Sequence, residues 1–161
     1  MRVAGIIRNS VVNGNGIRDV LFLQGCCHYC KGCHNPETWN QDGGDTYFTM
    51  DLVEEFKGCN QMTISGGEPL LQFDNLCLFM NMMNVQYGTR FWLYTGFIYE
   101  EIGEDTLQEL VKYVDVLVDG KFVEELKDLT LRFRGSSNQR LIDLPKSVKE
   151  GTIILWEDDR T

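Results

Sequence analysis

Short apolar runs alternate with polar, glycine-bearing breaks along the whole chain, and each run has the length and spacing of either a strand or a helix. Residues 3–7 are apolar and predict a first strand. Ser10-Val11-Val12-Asn13-Gly14-Asn15-Gly16 then turns the chain, its glycines and asparagines giving access to positive φ. Residues 17–23, ending in Val20-Leu21-Phe22-Leu23, read as a buried strand. Thr49 predicts the N-cap of a helix to about Lys57 that aligns Leu52, Val53 and Phe56 on one face. Residues 61–65 predict a short strand that runs into Gly66-Gly67-Glu68-Pro69.

The second half repeats the alternation. Asp74 predicts the cap of a longer helix carrying Leu76, Cys77, Phe79, Met80 and Met83. Residues 90–94 follow as a strand that ends in Tyr94-Thr95-Gly96. From Asp105 to about Val114, Leu107, Leu110, Val111 and Val114 recur at helical spacing, with Gln108 completing a capping box. Val114-Asp115-Val116-Leu117-Val118-Asp119-Gly120 is a strongly apolar strand with a turn after it. Residues 132–138 are basic and loop-like, and 152–156 form a final apolar run.

Strands alternating with helices across short loops predict parallel βαβ units, hence an α/β fold. No linker, repeat or low-complexity tract divides the chain, so residues 1–161 read as one domain. Too few units are present to close eight strands, which predicts a partial, open barrel. In such sheets function gathers at the carboxyl ends of the strands. The turns at Gly25, Gly66, Gly96 and Gly120 would open onto one rim.

Composition narrows the chemistry. A net charge of −9 argues against nucleic acid or an anionic membrane as partner. No apolar run is long enough to span a bilayer, and the first residues carry no secretory h-region, so the expected location is the cytoplasm. Six cysteines in a reducing compartment suggest metal or chemistry before disulfides.

Four of those six fall within the eight residues Cys26-Cys27-His28-Tyr29-Cys30-Lys31-Gly32-Cys33. Glycines flank the segment and Pro36 closes it, so it is a loop. Cys26, Cys30 and Cys33 read C-x3-C-x2-C, three thiolates for a compact iron–sulfur cluster, usually held by four. Three protein ligands leave one iron open, as an open position marks reactive zinc sites. Cys27, Cys30 and Cys33 alternatively read as the start of a ferredoxin run, but its closing cysteine is absent after Cys33. A zinc site using Cys27, Cys30, Cys33 and His28 or His34 is the third reading.

Gly66-Gly67-Glu68-Pro69 places paired glycines at a strand end, where a ligand can approach backbone groups closely, beside a carboxylate that can accept from an ammonium group. Together the two motifs resemble the radical S-adenosylmethionine superfamily. Within it the chain resembles the activating enzymes of anaerobic (class III) ribonucleotide reductases. Asn13-Gly14-Asn15-Gly16-Ile17-Arg18, Gly32-Cys33-His34-Asn35-Pro36-Glu37-Thr38-Trp39, Tyr94-Thr95-Gly96, Asp119-Gly120-Lys121-Phe122 and Arg134-Gly135-Ser136-Ser137-Asn138-Gln139-Arg140 all look like that family's motifs. Asn15 stands where the family often has proline.

The resemblance implies a 4Fe-4S cluster on Cys26, Cys30 and Cys33, with S-adenosylmethionine chelating the open iron. An electron from a flavodoxin-type donor would cleave that cofactor, and the 5′-deoxyadenosyl radical would generate a glycyl radical on the large subunit of the reductase. It further implies a cofactor-binding set of Gly66, Gly67, Glu68, Tyr94, Thr95, Gly96, Asp119, Lys121 and Arg134, with Glu68 on the methionyl amine. Catalysis would then rest on the cofactors, with no protein acid–base pair. Two other classes remain: a small radical enzyme acting on a small molecule, and a non-enzymatic zinc or iron–sulfur module.

The other polar residues have plainer readings. His28 and His34 read as supporting hydrogen-bond donors or exposed groups, and Cys27 as a neighbour of the cluster. Cys59 and Cys77 read as small buried hydrophobes, and Met80, Met82 and Met83 as core filler. Arg132, Arg134 and Arg140 are the one basic concentration on an acidic chain, a partner or ligand surface.

Overall fold

The computed structural model describes residues 1–158. Seven strands form one sheet: β1 (Arg2–Ser10), β2 (Arg18–Leu23), β3 (Asp45–Thr46), β4 (Gln61–Gly66), β5 (Arg90–Tyr94), β6 (Val114–Asp119) and β7 (Arg140–Asp143). Four helices accompany them: α1 (Thr49–Glu55), α2 (Phe73–Tyr87), α3 (Glu104–Leu110) and α4 (Leu144–Glu150). The strand order is β3-β1-β2-β4-β5-β6-β7. Only the middle of the sheet is parallel. β2, β4, β5 and β6 run together, whereas β1 and β3 on one side and β7 on the other pair antiparallel. The parallel expectation thus holds for four strands and fails at both edges. Among the described residues no helix is long and apolar enough to cross a membrane.

Handedness explains the layering. The parallel strands advance in one direction across the sheet, and right-handed crossovers then put every connecting helix on the same face. That face holds the main core. Leu21, Ile64, Leu93 and Leu117 from the strands meet Leu52, Phe56, Phe79, Met83 and Leu110 from the helices, all fully buried. The opposite face carries the alternate residues of the same strands, Trp92, Val116 and Val118, covered by Phe133 and Trp156. Among the described residues no helix contributes to that cluster, and cavities open on this face.

Several local signals resolve differently from the sequence pattern. Thr49 is the first helical residue rather than the cap, which is Phe48 with no side-chain bond. A 3₁₀ turn (Pro69–Gln72) runs directly into α2, so Asp74 lies inside the first turn and Gln72 takes the cap position. α3 starts after Gly103 with no side-chain cap, so Gln108 completes no capping box. β7 and α4 were not predicted, and the apolar run at 152–156 contributes only one bridge, Leu155 to Ile142. Cys59 and Cys77 are half-buried rather than buried.

Arg18 ties the open face together at the base of the parallel strands. Arg18 is 5% exposed, and its guanidinium donates to Thr63 Oγ1 at 3.1 Å, Asn15 O at 3.1 Å, Met62 O at 2.9 Å and Arg90 O at 3.3 Å. Burial lowers its pKa to about 10, so it remains charged at neutral pH. Arg18→Ala would strand those carbonyls and is expected to destabilise the protein by about 2 kcal/mol. Calorimetry should then show a fall in Tm of roughly 4–8 °C. An unchanged Tm would mean that desolvation of the cation cancels its hydrogen bonds.

Candidate functional site

A cavity of about 470 Å³ opens on the helix-free face, at the carboxyl ends of the parallel strands. Cys26, Cys30 and Cys33 share its wall. Gly66 and Gly67 form a second side, Tyr94, Thr95 and Gly96 a third, and Lys121 and Arg134 the last. Four turns after four successive parallel strands therefore meet at one place, as the strand-end rule requires. A second cavity, about 520 Å³, lies between Arg18, Trp92, Asp115 and Trp156 at the other end of the strands, and no cysteine lines it.

The cysteine loop is built by backbone pairing that continues past the ends of β2 and β4. Gly67 N donates to Leu23 O at 2.8 Å, Glu68 N to Gly25 O at 2.7 Å, and Gly25 N to Thr38 O at 2.7 Å. The loop then bends so that amide N–H groups point at two of the cysteine sulfurs. His28 N is 3.5 Å from Cys26 Sγ and Asn35 N is 3.4 Å from Cys33 Sγ. Burial pushes the Cys26 and Cys30 thiols up, while the amides of His28 and Tyr29 on Cys26, and of Phe122 on Cys30, work against it. Such N–H donors are what thiolate ligands of an iron–sulfur cluster receive. Cys27 is exposed and does not line the cavity.

The donor set therefore fits a cluster. Three free thiols spread along one cavity wall suit a larger, multinuclear body.

Glu68 does not reach the cavity surface. Its carboxylate is fully buried and accepts from Leu70 N at 2.9 Å, Thr95 Oγ1 at 3.0 Å, Gly96 N at 2.8 Å and His28 Nε2 at 2.7 Å. Asp119 is likewise fully buried, taking Tyr99 N at 2.7 Å and Arg140 Nε at 3.0 Å. Two of the sequence-selected residues thus brace the turns from behind, while Gly66, Gly67, Tyr94, Thr95, Gly96, Lys121 and Arg134 face the cavity.

The basic concentration also divides. Arg140 is bound by Asp119 and Glu100, whose carboxyl it holds down to about 2. Arg132 pairs with Asp158 and lies over the Phe133 ring. Only Arg134 of the three lines this cavity, its Nη1 donating to Gln139 O at 2.7 Å. Of the two readings open for His28, supporting donor or exposed group, the structure shows the first. His28 joins Glu68 from 40 positions away, a pairing with no local signal. Arg18, the last residue of the motif at 13–18, braces the opposite end of the strands and not this cavity.

Comparison with known proteins gives the family. Residues 12–142 match the model described as a 4Fe-4S single cluster domain. An anaerobic ribonucleoside-triphosphate reductase-activating protein of Vibrio cholerae is 37% identical over 139 residues, which cover 80% of this chain and 89% of that protein. The protein of the same name from Enterobacteria phage T4 is 38% identical over 139 residues, 81% of this chain and 86% of that one. The one from Escherichia coli is 37% identical over 139 residues, 80% and 90%.

Proposed function

Given that this chain belongs to the 4Fe-4S single cluster family and to the anaerobic ribonucleoside-triphosphate reductase-activating proteins, we propose that it installs a glycyl radical on an anaerobic ribonucleotide reductase, using S-adenosylmethionine. Cys26, Cys30 and Cys33 would hold the cluster, which would supply, from an external donor, the electron for reductive cleavage of S-adenosylmethionine and so the oxidant for the glycine hydrogen. The observation that carries this reading is the shared cavity. Three thiols with N–H donors on two of the sulfurs face the backbone of Gly66-Gly67 and Tyr94-Thr95-Gly96 across it.

The chain's own residues bind, orient and exclude. Gly66 and Gly67 let the methionyl end lie against the main chain, with the buried negative charge of Glu68 behind them favouring the ammonium group. Lys121 and Arg134 offer cationic groups on the cavity wall, suited to the ligand carboxylate. Tyr94-Thr95-Gly96 and the Asp119–Arg140 pair fix the remaining turns. Phe122 and Phe133 give the wall apolar cover that limits water around a reactive radical.

In this reading the sheet is a partial, open barrel whose inner face is the one without helices, residues 1–161 act as one domain, and the protein works in the cytoplasm. A flavodoxin-type donor supplies the electron. The test is anaerobic. The protein is reconstituted with iron and sulfide, reduced, mixed with S-adenosylmethionine and then with the reductase. Iron in the protein, 5′-deoxyadenosine in solution and a glycyl-radical signal on the reductase are expected. Cleavage without that signal would point to a small-molecule substrate, and bound zinc without cleavage would overturn the reading.

A further inference from the structure

We propose that His28 is a positioning residue that locks the cysteine loop to the turns that receive S-adenosylmethionine, an inference that rests on the reading above. One residue makes both connections. Its main-chain N–H points at Cys26 Sγ at 3.5 Å, and its side-chain Nε2–H donates to Glu68 Oε2 at 2.7 Å. His28 lies midway between Cys26 and Cys30, so fixing its ring fixes the span between the first two cluster ligands.

The ring sits in a socket that only this arrangement allows. Its side chain is 5% exposed and packs edge-on against Phe97, with centroids 4.7 Å apart. A Cβ on Gly96 would come within 2.3 Å of ring Cδ2, so residue 96 has to be glycine for the ring to lie there. Tyr29, the next residue, has φ of +49°, a left-handed conformation that a bulky side chain adopts only when its surroundings force it. The chain is bent at this point and the ring is what occupies the bend.

Glu68 explains why the link matters. A buried carboxylate needs its oxygens satisfied, and three of its donors come from its own turn and from the end of β5. Among the described residues only His28 joins that carboxylate to the cysteine loop. His28 lines the cavity and Glu68 does not, so the ring is the cavity-side partner of that carboxylate. Without it the loop loses its side-chain tie to both ligand-facing turns.

The experiment measures S-adenosylmethionine affinity and iron per chain on reconstituted protein, with the cofactor-induced change in the reduced-cluster spectrum. Wild type should bind and perturb the spectrum. His28→Ala should still fold and keep its iron, with a modest fall in Tm, yet bind about tenfold more weakly or worse, the effect of one lost charge-assisted hydrogen bond. His28→Gln, which keeps a donor at that reach, should recover most of the affinity. Gly96→Ala, which displaces the ring without removing it, should mimic His28→Ala. Unchanged or tighter binding in both His28→Ala and Gly96→Ala would overturn the positioning role while leaving the proposed function intact. A wild type with iron that ignores S-adenosylmethionine would overturn that function and this inference with it.

Discussion

Cys26→Ala is expected to abolish S-adenosylmethionine cleavage, while Cys27→Ala keeps most of it. The two residues are neighbours in sequence and opposites in place. Cys26 is 7% exposed, lines the cavity and receives amide N–H groups on its sulfur, whereas Cys27 points to solvent. Loss of a group that merely supports a metal site weakens it by roughly 10–100-fold, so loss of a ligand itself should exceed that. Parallel reconstitution of both variants, with iron counted and 5′-deoxyadenosine measured, decides the matter. The reverse pattern would move the cluster to the ferredoxin-like set Cys27, Cys30 and Cys33. It would also leave the N–H groups around Cys26 without a purpose.

What could be read from the sequence was local. Residues 90–94 match β5 because an apolar run bounded by turns carries its own signal. The cysteine loop, Gly66-Gly67 and Tyr94-Thr95-Gly96 were legible as motifs, and all three line the cavity. β7 was not, because Arg140-Leu141-Ile142-Asp143 is only four residues and exists by pairing antiparallel with β6. The burial of Glu68 and Asp119 was not legible for the same reason, since donors to each, His28 and Arg140, come from 40 and 21 positions away. The false caps at Asp74 and Gln108 have the opposite origin. Their local chemistry was sound, but the preceding 3₁₀ turn and Gly103 had already set where the helices begin.

Gly67→Ala should be strongly damaging. A Cβ at this position would lie 2.1 Å from Gly25 O, 2.6 Å from Gly25 C and 3.1 Å from Thr38 O. All three are backbone atoms, so no side chain can swing aside. The same three segments are stitched by the bonds from Gly67 N to Leu23 O, Glu68 N to Gly25 O and Gly25 N to Thr38 O. A methyl group there must part the Gly-Gly-Glu-Pro turn from the root of the cysteine loop, and with it the two halves of the site. Overpacking of this kind costs about 3 kcal/mol, a fall in Tm of roughly 6–12 °C, and the reconstituted variant should lose iron as well. Gly103→Ala is the control, since nothing lies within 4 Å of a Cβ there and its φ is −59°. Equal Tm and iron content in Gly67→Ala and Gly103→Ala would show that the backbone contact yields freely. The close approach of strand end and cysteine loop would then not be what holds the site together.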